Sequence, residues 1–65
     1  MELSKTLLLR AKLINNEAEH ALNDAKAYTE FARFKEADDK MAEAQALMLQ
    51  VSHLTKCVEE LVQND

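Results

Sequence analysis

The sequence predicts an all-α protein folded as an antiparallel two-helix hairpin, and three observations carry that prediction. The first is an absence. In 65 residues there is no glycine and no proline, the two residues least compatible with a helix interior. The second is what fills their place: Ala, Leu, Glu, Lys, Gln and Met, all strong helix formers. The third is a pair of apolar stripes with heptad spacing that do not share one phase.

Helix 1 is expected over about residues 3–30. Leu7, Ala11, Ile14, Ala18, Ala21, Ala25, Tyr28 and Ala32 follow one another at alternating spacings of four and three. That is an a/d seam sustained over several heptads. A competing break lies at Asn16-Glu17-Ala18-Glu19, which reads as a capping box. The heptad passes through Ile14 and Ala18 without a phase change, so helix 1 is read as continuous.

The turn is expected at about residues 31–34. Continuing the first seam would bury Lys35, Asp39, His53, Lys56 and Glu60. The apolar pattern instead restarts two positions out of step, about 200° around a helix. A straight rod would carry its stripes on opposite sides, and folding back removes the conflict. Thr29 is a candidate N-cap for the second helix.

Helix 2 is expected over about residues 34–63. Its seam reads Ala37, Met41, Ala44, Met48, Val51, Thr55, Val58 and Val62. Thr55 is the polar exception, and Leu54 beside it can substitute. Folded about residues 32–33, the two seams pair with residue numbers summing to 65 or 66, as in Tyr28 with Ala37 and Ile14 with Val51. Small residues often face large ones, as dense antiparallel packing requires.

Further leucines lie beside the seams. Leu8 and Leu22 flank the first. Leu47, Leu54 and Leu61 flank the second at sevenfold spacing. Leu9, Leu13 and Leu49 lie further round. Such rows widen the apolar stripe beyond what a two-helix contact covers. Leu8, Leu22, Leu47, Leu54 and Leu61 are therefore the candidate interface. It would serve a homo-oligomer (dimer or trimer) or a helical protein partner.

Chemistry is harder to find. Glu17-x-x-His20 has the spacing of di-iron bundle ligands, but the seam runs through Ala18 and Ala21, so the pair faces outward. His53 and Cys57 share a helical face four residues apart, yet two ligands do not make a metal site. No glycine-rich loop could cradle phosphate, and no nucleophile has a base and an orienting acid beside it. The reading is a non-enzymatic protein with no cofactor, no metal and no small-molecule substrate. Lys5, Lys12, Lys26 and Arg33 fall on one heptad position, interrupted by Glu19. This basic line is a candidate anion contact and carries the alternative function, RNA binding.

Size and charge bound the rest. The chain is one domain of residues 1–65, with a single cysteine and hence no internal disulfide framework. Small scaffolds without disulfides or metals usually rely on association. No signal peptide or membrane-spanning stretch is read, since Arg10 and Lys12 end the run Leu7-Leu8-Leu9 at once. The expected setting is cytoplasmic. A net charge of -4 disfavours non-specific binding to nucleic acid or anionic membranes.

One stretch resembles a known family. Arg33-Phe34-Lys35-Glu36-Ala37-Asp38, followed by Glu43-Ala44, Leu47, Leu49 and His53, is similar to the lactose/cellobiose-type IIA component of the bacterial sugar phosphotransferase system. Ala21-Leu22-x-x-Ala25-Lys26 echoes the end of that family's first helix. The resemblance covers about residues 16–56 and implies a helical, trimeric relative. Neither His20 nor His53 matches the family's phosphate-accepting histidine, so it implies no phosphotransfer residue. By size and shape alone, the chain is also similar to two groups of small hairpins: type III secretion co-chaperones and the RNA-binding Rop proteins of plasmids.

Overall fold

The computed structural model describes residues 2–63. They form two helices, α1 (Glu2–Glu30) and α2 (Phe34–Gln63), joined by residues 31–33. The body measures 51 × 14 × 10 Å. A helix of 30 residues is about 45 Å long, so the molecule is one helix long and α2 runs back along α1. The fold is the all-α antiparallel hairpin that the two phases predict.

On α1 the buried positions are Ser4, Ala11, Ile14, Ala18, Ala21 and Ala25, with Leu7 and Tyr28 half-buried. This is the expected seam, begun one step earlier at Ser4. The helix passes through Asn16 unbroken. Ala32, the last position of the predicted seam, lies in the turn and is exposed.

On α2 the seam departs from expectation. Ala37, Ala44 and Val58 are buried and Val51 is half-buried, but the alternate layers are Lys40, Leu47, Leu54 and Leu61. Met41, Met48, Thr55 and Val62 are exposed. Both choices give alternating steps of three and four, so periodicity alone does not separate them. They differ by a rotation of α2 about its own axis of about 50°. With the observed rotation, every seam pair sums to 65: Ser4 with Leu61, Ala11 with Leu54, Ala18 with Leu47, Ala25 with Lys40. Ser4, Ala11, Ala18 and Ala25 of α1 thus fall level with long side chains of α2, while Ala21 falls level with Ala44. Lys40 fits because its stem is apolar while its ammonium reaches out to Asp24 at 3.9 Å and Glu43 at 3.1 Å.

The turn solves the lack of glycine. Ala32 adopts a φ of 57°, the left-handed conformation that usually ends a helix on glycine. The Arg33 amide donates to the Tyr28 carbonyl at 2.8 Å, and the Ala32 amide donates to the Thr29 carbonyl at 3.0 Å. These two bonds are the Schellman pattern, with Ala32 in the glycine position. The apolar clasp that usually accompanies it is replaced by the Arg33 guanidinium, 5.2 Å from the centre of the Tyr28 ring. Arg33 then opens α2: its carbonyl accepts from the Ala37 amide at 3.0 Å, and its Nε donates to Glu36 at 3.3 Å. Thr29 does not cap α2. It lies within α1, its hydroxyl donating to the Ala25 carbonyl at 2.8 Å, because the helix continues one residue past it.

A left-handed alanine costs about 1 kcal/mol or more that glycine does not. Ala32→Gly should therefore raise stability by about 1 kcal/mol, less the entropy glycine adds to the unfolded chain. Urea denaturation would read this as a higher midpoint at unchanged slope. A lower midpoint would mean that Ala32 is not left-handed in solution.

Candidate functional site

The two helices present two unlike flanks. In an antiparallel pair the g positions of both helices share one side of the seam and the e positions share the other. The g side is polar. Glu17 and Asp24 of α1 and Lys40 and Glu43 of α2 line one shallow cleft there, together with His20, Ala21 and Leu47. The hydrogen bond Lys40 donates to Glu43, and next the Glu43 charge, hold its pKa above the usual lysine range, with Asp24 adding to the effect. A raised pKa means that the favourable interaction is fully present at neutral pH and is lost only in alkali.

The e side is apolar. It carries Leu8, Asn15, Leu22 and Thr29 from α1, and Met41, Met48, Thr55 and Val62 from α2. Leu8 is 51% exposed, Met41 and Met48 are each 42% exposed, and Val62 is 61% exposed. A stripe of large apolar side chains thus runs the length of one flank and has no counterpart on the other.

The structure places the five interface candidates in two settings. Leu8 and Leu22 lie on this apolar flank, Leu8 exposed and Leu22 half-buried. Leu47, Leu54 and Leu61 lie half-buried on the seam between α1 and α2. The sevenfold row they form is the inner layer of α2. The outer row is Met41, Met48, Thr55 and Val62, which the sequence reading had assigned to the seam. The charge on Lys40 hid this arrangement, since a lysine in a seam reads as an error until its partners are known.

The basic line is shorter than its spacing suggests. Lys5, Lys12 and Lys26 are exposed on α1, but Arg33 lies beyond the end of that helix, engaged with Tyr28 and Glu36. Sequence reasoning also passed over the turn end. All three aromatic residues of the chain, Tyr28, Phe31 and Phe34, fall within seven positions there. Phe31 is 77% exposed, and it lines a shallow cleft with Tyr28, Arg33, Asp24 and Ala27. Clustering of the only aromatics in a chain was the available signal.

His53 and Cys57 are both exposed, whereas Leu54 is half-buried. Among the described residues, no group of three or more His, Cys, Asp and Glu is placed to hold a metal ion. Leu54→Ala should cost about 1–2 kcal/mol, half the usual figure for a fully buried leucine. His53→Ala and Cys57→Ala should each cost about 0.5 kcal/mol or less. Thermal melts of the three variants would check the order. Equal losses would contradict the placement of Leu54 on the seam.

No helix among the described residues is long and apolar enough to cross a membrane. Comparison with protein-family models, with curated proteins and with solved structures finds no match.

Proposed function

We propose that the chain is a non-catalytic protein–protein interaction module that engages a helical surface through its apolar flank. It would act by self-association or as an adaptor or chaperone for a helical partner. The observation that carries this reading is the asymmetry of the hairpin. Leu8, Leu22, Met41, Met48 and Val62 line one flank, while charged side chains line the other. Exposed apolar stripes rimmed by polar residues are characteristic of surfaces that bind other proteins. Methionine suits such a role, because its flexible thioether adapts to the surface it meets. The thin seam points the same way. Among the described residues no large side chain is fully buried, so the hairpin has little core of its own and gains from covering this flank.

A photo-crosslinking amino acid placed at Met48, on the apolar flank, and at Gln50, on the polar flank, tests the reading in cells. Covalent protein adducts, whether to another protein or to the chain itself, are expected from position 48 and not from position 50. Adducts to RNA from Lys12, with none to protein from position 48, would favour the basic line instead. Absence of protein adducts at position 48 would overturn the proposal.

A further inference from the structure

We infer that the occupant of the apolar flank is a second copy of this chain, related by a two-fold axis along the hairpin's length, so that α1 of each copy lies against α2 of the other. This inference rests on the apolar flank being an interaction surface, and adds which partner it takes and in which orientation.

The area comes first. The chain exposes 5132 Å². A compact monomer of its 7.4 kDa mass would expose about 4,200 Å². The excess of about 900 Å² is close to the roughly 800 Å² that each partner contributes to an interface of standard size. A copy seated flank to flank removes a comparable area from each chain at once.

Charge then chooses between the two ways of pairing these flanks. A two-fold axis along the hairpin sets α1 against the partner copy's α2, with both turns at the same end. A two-fold axis across the hairpin sets α1 against α1 and α2 against α2, with turns at opposite ends. The residues bordering the apolar row are Lys5, Lys12, Glu19 and Lys26 on α1, and Asp38, Gln45, Ser52 and Glu59 on α2. In the first arrangement the heights along the bundle follow the hairpin's own register. Lys5 then meets Glu59 of the other copy, Lys26 meets Asp38, and Glu19 meets the neutral Gln45. In the second, Lys5 meets Lys26 and Asp38 meets Glu59, and only the contact of Lys12 with Glu19 is favourable. Four attractive contacts per dimer stand against four repulsive and two attractive ones. Border charges of this kind set orientation more than strength.

The apolar rows agree with the first arrangement. At matching heights Leu22 falls between Met41 and Met48 of the other copy, and Leu8 falls between Thr55 and Val62. Asn15 falls between Met48 and Thr55, nearer Met48.

Three experiments on the purified 65-residue chain test this. Sedimentation equilibrium at about 100 μM, a concentration that populates dimers of even micromolar affinity, should give twice the 7.4 kDa chain mass. Orientation is read by disulfide capture in a Cys57→Ser background. A mixture of Lys5→Cys and Glu59→Cys chains should form a crosslinked dimer, and a mixture of Lys5→Cys and Lys26→Cys chains should not. In the otherwise native chain, Lys5→Glu with Lys26→Glu should weaken the dimer about tenfold or more, and adding Asp38→Lys with Glu59→Lys should restore it. These positions are exposed, so helix content by circular dichroism should be unchanged. A monomeric or trimeric mass would overturn the inference, as would preferential capture of Lys5→Cys by Lys26→Cys. A monomer whose position 48 still crosslinks to a different protein would refute the second copy and leave the interaction module standing. Loss of both would remove the module as well.

Discussion

Replacing Ala44 by aspartate is expected to abolish cooperative folding of the hairpin. Ala44 has 0% of its surface exposed, and the seam register sets it level with Ala21, itself buried. This is the layer where both helices carry only a methyl group, so the backbones approach toward the roughly 8 Å lower limit of helix packing. An aspartate there has no room and no partner. Burying an unpaired carboxylate costs several kcal/mol, and a domain this small has only a few to lose. The control is Ala46→Asp, two residues on and exposed. It carries the same loss of helix propensity, about 0.7 kcal/mol or less, without the burial. Thermal melts followed by circular dichroism should show a folded Ala46→Asp chain and a broad, non-cooperative Ala44→Asp chain. Comparable midpoints would mean that the alanine layer is not closed in solution.

The second large effect is a melting temperature that depends on concentration. If a second copy covers the apolar flank, a hundredfold rise in protein concentration stabilises the folded state by about 2.7 kcal/mol. With an unfolding entropy of about 2.1 cal/mol/K per residue over both chains, the midpoint should rise by about 10 °C. Melts at about 2 and about 200 μM span this range, and both lie where micromolar-class association is visible. A midpoint that does not move would mean that the flank stays open in the isolated protein. Met48→Lys offers the complementary measurement. It should remove the concentration dependence while leaving the dilute midpoint nearly unchanged, because Met48 lies outside the α1–α2 seam.

Much of this molecule is legible in one dimension. The absence of glycine and proline, and a two-position jump in the apolar phase, suffice for two helices that fold back on each other. The α1 seam is legible too, because Ala11, Ile14, Ala18, Ala21 and Ala25 form one apolar stripe unbroken by a charged or polar residue. Those conclusions depend only on local propensity and on the 3.6-residue turn, which every sequence shares.

Three features required the packed pair. At the turn, Ala32 takes the left-handed conformation because the tight link demands it, and the Schellman bonds together with Arg33 over Tyr28 hold it there. On α2, the rotation that buries Leu47, Leu54 and Leu61 and exposes Met41, Met48 and Val62 follows from fitting long side chains opposite the alanines of α1. The two stripes are nearly equal in hydrophobicity, so only shape complementarity across the seam separates them. Lys40 occupies the seam because Asp24 lies on the facing helix and Glu43 one turn along its own. The sequence by itself determined that there are two helices and that they are antiparallel. Which face each presents outward was decided by tertiary packing, because volume matching and cross-helix charge are properties of pairs of residues far apart in the chain.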